Sequence, residues 1–513
     1  MTCTVRPWDA LARPIALAGI RGFDLALACG ALLLIGLVLG PVATIPMQIP
    51  LDYNEGWNAG FAARAVMPGT GPLYPGPDTL VFNNYPPLGF LIVGAAGRWL
   101  VGDMIVAGRI IALLGLLASG ALVALCLRRL GLAWRPAIAG GLAMLLLIAT
   151  WFRVYVAMDD PQWLAHAVML AGLAVLVDRP ERLRGGPLPV VRIAAAALLM
   201  VMAGFIKHNL VALPLATTIW LLWLRPRACA VWLAAAAVAL AAGAMMVWLA
   251  WGADAFADIL GHHRVFTPAR ALFGLQKLLP LIPAGLVIGL MLRRSPHRIA
   301  LGLVVPFLAV ALVTGVLQRI GDGVYYNAQF PTVIALSLAL GIALDAAIAR
   351  PPRLRGTTIG APALLVFAAL PLIGAAPQHL RLSVQALTQR EARAAAWAPM
   401  IGALAAADGP VGCQMLSLCA WAGRPFGVDM FNLTQKVLTG GPDSGFAAML
   451  AAHRFALIED DPHSSIHAEA RDAIGHDPFA DILARNYRVL LTGPGGTRLL
   501  APDPAMSAPS EGR

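Results

Sequence analysis

DLALACGALLLIGLVLGPVATIPMQIPLDYNEGW (24–57) joins an apolar run long enough to cross a bilayer to a short polar exit carrying two acids, Asp52 and Glu55. A spanning helix needs roughly 20 predominantly apolar residues, and residues 24–46 supply them. Arg6, Arg13 and Arg21 precede this run as basic residues precede a secretion signal, but its apolar core is longer than a signal's, so it reads as an anchor. Outward from it, comparable runs recur at 104–127, 135–157, 161–178, 188–206, 209–224, 228–251, 277–293, 298–318, 328–348 and 357–376. The expectation is a mainly α, polytopic membrane protein with about 11 transmembrane helices.

Composition agrees. Of 513 residues, 59% are hydrophobic and only 13% charged, and the mean hydropathy is +0.74, well outside the range of a soluble globular chain. The net charge of +11 does not imply nucleic acid, because the arginines sit in short clusters between apolar runs, where they orient helices. Only Lys207, Lys277 and Lys436 are lysines. The six cysteines include no C-x-x-C and no His/Cys ligand spacing, which argues against zinc or iron–sulfur. No Walker A, no dinucleotide-binding glycine fingerprint in the membrane part and no G-x-S-x-G occurs, so nucleotide hydrolysis is not the expected energy source.

Charge sorts the loops. Arg128, Arg129 and Arg135 fall in one; Arg179, Arg182 and Arg184 in the next but one; then Arg225 and Arg227; Arg293, Arg294 and Arg298; Arg350, Arg353 and Arg355. Every second loop is therefore basic and expected on the cytoplasmic side, with the N-terminus. The opposite face receives 47–103, the Met158-Asp159-Asp160-Pro161 corner, Lys207-His208-Asn209, 252–276, 319–327 and everything after 377. Residues 85–101 (YPPLGFLIVGAAGRWLV) are apolar too, but a span there would invert every later loop. A surface helix started by Pro86 and Pro87 fits better.

The chain divides at 376/377 into a transmembrane domain (1–376) and a small outer α/β domain (377–513). Strand-like 409–416, 455–460 and 487–493 alternate with helical 378–407, 445–453 and 478–485, which predicts a mainly parallel sheet. In an oxidising compartment Cys413 and Cys419 could pair, or remain two thiols.

The outer loops carry the candidate chemistry. Asp52 or Glu55, in the first loop, could act as general base toward an incoming hydroxyl, or could simply cap the following helix. Trp57 and Tyr85 are candidate pocket residues in the same loop. One of Asp159 and Asp160 is expected to cap a helix; the other could bind a sugar, a shared proton or a divalent cation. Lys207 could bind phosphate or only snorkel to the headgroups. His262, His263, Arg264 and Arg270 add polar and cationic groups, and adjacent histidines diverge too far on a helix to ligate one metal. No cofactor is certain; a divalent cation, if any, belongs to Asp159 or Asp160. Carboxylates in early loops and cations in later ones supply the polarity needed to move a group from a phosphate to a neutral hydroxyl.

DYNEGWNA (52–59), NNYPPLGF (83–90), GDMIVAGR (102–109), the Asp159-Asp160 corner, the Lys207-His208-Asn209 turn with Pro214, the His263-Arg264 loop and GDGVYYN (321–327) occur in an order that resembles the C-type (GT-C, family 39-like) polyprenyl-phosphate-sugar glycosyltransferases. Aminoarabinose transferases of lipid A and protein O-mannosyltransferases belong to that group. Residues 409–432 are similar to the tail of a bacterial subgroup of unassigned substrate. The resemblance implies an inverting membrane glycosyltransferase in the bacterial inner membrane. It would move a sugar from a polyprenyl-phosphate donor to a hydroxyl of a lipid, glycan or protein on the periplasmic side. It maps the base onto Asp52 or Glu55, separated here by Tyr53 and Asn54 where the commoner pattern has adjacent acids. It maps the second-loop acid onto Asp159 or Asp160, the donor phosphate contact onto Lys207 with Arg264 and His263, and the pocket wall onto Tyr85 and Tyr325. The competing classes are a transporter or flippase of a lipid-linked saccharide, which would carry charges at the bilayer midplane on broken helices, and a non-catalytic envelope assembly protein.

Overall fold

The computed structural model describes residues 7–178, 181–276, 278–292, 295–354, 357–475 and 477–504. Arg179, Arg293, Arg294 and Arg355, used above to sort the loops, lie outside the described residues, as do Arg6 and Lys277. Each of the eleven apolar runs coincides with a helix. Eight are long and apolar enough to cross a membrane: Gly22–Thr44, Met104–Arg129, Trp134–Trp151, Pro226–Leu260, Ala269–Met291, Arg298–Gln318, Tyr326–Ala349 and Ala361–Thr388. The other three, Gln162–Leu176, Val190–Ile206 and Ala212–Leu224, are shorter. At 1.5 Å per residue the first of these is only about 22 Å long, less than the ~30 Å of a hydrocarbon core. The reason lies at their ends. Asp159, Asp160 and Lys207 are buried, so the corners that end these helices are drawn into the protein instead of standing at its surface.

Phe330–Ala349 is buried along nearly its whole length and packs against Trp134–Trp151, Arg298–Gln318 and Ile282–Leu292. Helices farther out leave Leu32, Leu240, Leu249, Leu290 and Val313 exposed, as a lipid-facing surface requires. At one end of the bundle the described basic loops meet. His297 Nε2 bonds Asp345 Oδ2 at 2.7 Å, Asp345 Oδ1 accepts from the Ala133 amide at 2.9 Å, and Arg135 pairs with Asp24 at 2.6 Å. The acids and Lys207 gather elsewhere, where the chain leaves the first span.

The loop after that span is itself helical. Asp52 caps Tyr53–Val66, its carboxylate accepting from the Asn54 amide. Pro87–Ala96 follows, with Pro at its first position, as expected for a helix opened by proline. It continues to Val101, where Trp99 and Leu100 are exposed.

The helix Ala361–Thr388 runs straight past residue 377, and Arg390–Ala406 carries the chain on to the small sheet. Strand order is Val411–Cys413, Leu457–Asp460, Arg498–Pro502, Tyr487–Thr492. Only the first pair is parallel; the other two are antiparallel. The expectation of a mainly parallel sheet is thereby corrected. The strand Arg498–Pro502 was not recognised, and the five residues joining it to Tyr487–Thr492 are too few for a crossover, which takes a dozen or more. Helices at Leu416–Trp421, Met430–Leu438 and Ser465–Ile474 also went unread. Cys413 and Cys419 are disulfide-bonded.

Candidate active site

The acids of the first loop have separate fates. Glu55 is fully buried and clasped by Arg109 of the Met104–Arg129 helix. Nε meets Oε1 and Nη2 meets Oε2, both at 2.7 Å. The same guanidinium donates to the carbonyls of Thr44, Ile45, Met47 and Ile49 at 2.7–3.1 Å. Glu55 in turn accepts from the amides of Leu51 and Asp159. One arginine thus satisfies the carbonyl of the last helical residue, Thr44, and three carbonyls of the exit segment beyond it, and fixes the chain that leads to Asp52.

Asp52 lines a cavity of about 210 Å³ together with Tyr325, Gly323, Gln414, Glu459 and Asp461. Burial is the main cause that pushes its carboxyl up to about 6, and the charges of Glu55 and Asp160 add to it, against the bonds from Asn54. Such a carboxylate is ionised at neutral pH yet basic enough to take a proton.

At the second corner, Asp160 accepts from Lys207 Nζ at 2.9 and 3.1 Å and from the Gln162 amide at 2.7 Å, so it is the capping acid of the pair. Lys207 also lies 4.7 Å from the centre of the Tyr85 ring, and Tyr85 meets Trp57 edge-on at 5.0 Å. Asp159 is buried, its Oδ2 without a hydrogen-bond partner among the described residues, and burial, then Glu55 and Asp160, holds its carboxyl well above the usual range. A resident divalent cation does not fit here. Lys207 already supplies the positive charge beside Asp160, and no group of three His, Cys, Asp or Glu suited to a metal occurs among the described residues.

The later loops bring one cation close behind the cavity wall. The 262–267 segment pairs with 320–322 through Phe266 and Gly321 and through the Asp322 amide on the Val265 carbonyl. Arg264 lies over Phe431, whose ring meets Tyr53 at 5.6 Å. Its Nη1 is buried without a hydrogen-bond partner among the described residues. At Gly323, φ is +71° and a Cβ would fall 2.7 Å from that nitrogen and 2.3 Å from Phe431. Glycine here lets the cavity wall pass directly in front of the guanidinium. His262, whose pKa burial lowers to about 2, is neutral and bonds Arg264 Nη2. His263 faces outward and bonds Thr439 Oγ1 at 2.9 Å.

The structure thus brings Asp52 and Tyr325 to one cavity, holds Arg264 behind its Gly323 wall, gathers Trp57, Tyr85, Lys207 and Asp160 in a cluster outside its lining, and leaves His263 outside. Residues not singled out in the sequence complete it. Asp429 is fully buried and accepts from Tyr53 Oη at 2.6 Å and Trp57 Nε1 at 3.0 Å while capping Met430–Leu438, which locks the outer domain onto the first outer helix. The helix Leu416–Trp421 seats on that helix at Gly56, where a Cβ would fall 2.0 Å from the Ser417 amide. Arg109 was the one legible omission, a lone cation inside an apolar span.

No protein family and no curated protein sequence matches the chain. Solved structures do. The structure of ArnT from Cupriavidus metallidurans in the apo state aligns over 96% of this chain and 99% of its own, with TM-score 0.59 and 16% identity. ArnT from the same organism bound to undecaprenyl phosphate aligns over 95% and 99%, with TM-score 0.60 and 15% identity. Nearly whole-length superposition covers the spans, the outer helices and the terminal sheet together, and the chain accordingly has the fold of that protein and is a multi-pass membrane protein.

Proposed function

We propose that this protein is an inverting membrane glycosyltransferase that moves a sugar from a polyprenyl-phosphate donor to an acceptor hydroxyl at the periplasmic face of the bacterial inner membrane. The observation that carries the reading is the division of labour among the acids: Glu55 is taken up by Arg109 and Asp160 by Lys207, whereas Asp52 faces a cavity with a basic group behind its wall. Asp52 accepts the proton of the acceptor hydroxyl as its oxygen attacks the anomeric carbon. The bond from that carbon to the phosphate oxygen breaks, the electron pair leaves on the phosphate, and Arg264, with an N–H to spare, neutralises the new charge. Lys207 acts through Asp160 and the Tyr85 wall. Outer sidedness is supported by the arginine pattern and by the Cys413–Cys419 disulfide, which persists in oxidising compartments.

The test is release of polyprenyl phosphate from a labelled polyprenyl-phosphate sugar by the purified protein in liposomes. Wild type should release it, and Arg264→Ala should do so about 10²–10³-fold more slowly, the usual cost of one electrostatic donor. Equal rates would remove Arg264 from the leaving-group role.

A further inference from the structure

The cavity that Asp52 enters has a second wall, contributed by the outer domain, whose chemistry the transfer step does not use. Glu459 lies on the strand Leu457–Asp460 and is fully buried. Its Oε2 accepts from the Met415 amide at 2.7 Å, while Oε1 has no partner among the described residues. A buried carboxyl oxygen left unpaired is costly, and this residue lines a cavity open to a ligand. Beside it Gln414 spans the gap, Nε2 donating to Ser464 Oγ at 2.7 Å and Oε1 accepting from the Asp461 amide at 2.7 Å. The Ser464 hydroxyl hydrogen is thereby free to donate. Asp461 and Thr497 line the same wall.

Among the described residues lining this cavity there are three carboxyl groups, Asp52, Glu459 and Asp461, and no Lys, Arg or His. Arg264 stands behind Gly323 and Phe431, on the other side. An anionic headgroup would therefore meet the like charge of Asp52 and Asp461 on entry, and like charges brought together at an interface cost several kcal/mol. A neutral or cationic polyhydroxylated group finds carboxylates to accept from its hydroxyls and hydroxyl and amide groups to donate to its oxygens.

From this geometry we infer that the outer-domain wall around Glu459, Asp461 and Ser464 is the acceptor subsite, built for an uncharged or cationic sugar headgroup and against one bearing phosphate. The inference rests on the reading of Asp52 as the base, because it places the acceptor's reacting hydroxyl at the Asp52 end of the cavity. Burial, the main influence on Glu459, pushes its carboxyl up to about 8, so at neutral pH it retains a proton that Oε1 presents to a ligand oxygen.

The experiment measures binding of methyl glucoside and of methyl glucoside 6-phosphate to the full chain in nanodiscs by saturation-transfer NMR, at neutral pH. Wild type should bind the neutral probe at least about ten-fold more tightly, a modest share of the cost of opposing like charges. Glu459→Ala should lose the neutral probe and Glu459→Gln, which keeps a donor and an acceptor, should retain it. Asp461→Lys, at a partly exposed turn, should erase the discrimination even if Glu459→Ala proves unstable. Equal binding of the two probes by wild type, or an unchanged preference in Asp461→Lys, would overturn the inference. The reading of Asp52 is separable: Asp52→Asn should still discriminate between the probes while failing to transfer sugar. Full transfer by that variant would sink the catalytic reading instead.

Discussion

Replacing Arg109 with Met should loosen the whole entrance to the site. The guanidinium and the Glu55 carboxylate are both fully buried and meet at 2.7 Å through two bonds. Removing one partner of such a pair costs about 3–5 kcal/mol, because the other charge is left buried and unpaired. The variant also strands the carbonyls of Thr44, Ile45, Met47 and Ile49, so the upper end of that range is expected. Glu55→Gln should cost less, since Arg109 keeps those four carbonyls and the amide side chain still accepts from Leu51. Arg109→Lys should fall between, a point charge being unable to serve a carboxylate fork and several carbonyls at once. Thermal unfolding of the purified protein in detergent gives the order, with Arg109→Met lowering the midpoint by on the order of 5 °C or more. Transfer should fall with it, since the 44–51 segment that carries Asp52 loses its anchor. If Arg109→Met melted like wild type, or if Glu55→Gln were the more damaging change, the arginine would not be what holds this loop.

Asp429→Ala removes the shared acceptor of Tyr53 and Trp57 and a helix cap together, a loss of about 2–4 kcal/mol. Limited proteolysis should release the outer domain from the membrane part faster than in wild type, and an unchanged cleavage rate would contradict that anchoring role. The outer domain should also lose stability as pH rises from about 5 to 9. Burial raises Glu459 from 4.5 to about 8, so between those two values the folded state keeps a proton that the unfolded state has lost. Burial by itself pushes His467 down, but its bonds to Asp460 and Asp477 prevail and raise it from 6.5 to about 9, giving the same sign over a higher window. Protease susceptibility of this domain in the full chain should increase with pH and Glu459→Gln should flatten the rise below pH 8; greater resistance at high pH would contradict both assignments.

The membrane part was legible because its signal is local. Runs of about 20 apolar residues and the arginines between them are read without knowing any long-range contact, and the Pro86-Pro87 helix start and the capping role within Asp159-Asp160 are equally local. The pairing of those polar groups was not. Asp52 and Glu55 sit three residues apart on one helix end, and only the approach of Arg109, 54 residues on, separates a fixed carboxylate from a free one. Tyr53 and Asp429 are 376 residues apart, and nothing in FGVDMFN (426–432) says what the acid reaches besides its own helix. The sheet went partly unread because Arg498–Pro502 is short and ends in proline, so its antiparallel return was missed. Glu459 was hidden inside FALIED (455–460), where its apolar neighbours mark the strand and the acid looked like its end.

The most direct test of the central claim is the rate of sugar transfer by Asp52→Asn, set against Glu55→Gln and Asp159→Asn, in liposomes containing labelled polyprenyl-phosphate sugar and an acceptor. With the protein folded and inserted, loss of the base should slow Asp52→Asn by about 10²–10⁴-fold, while Glu55→Gln changes transfer only as far as it changes stability. An Asp52→Asn rate equal to wild type would contradict the account.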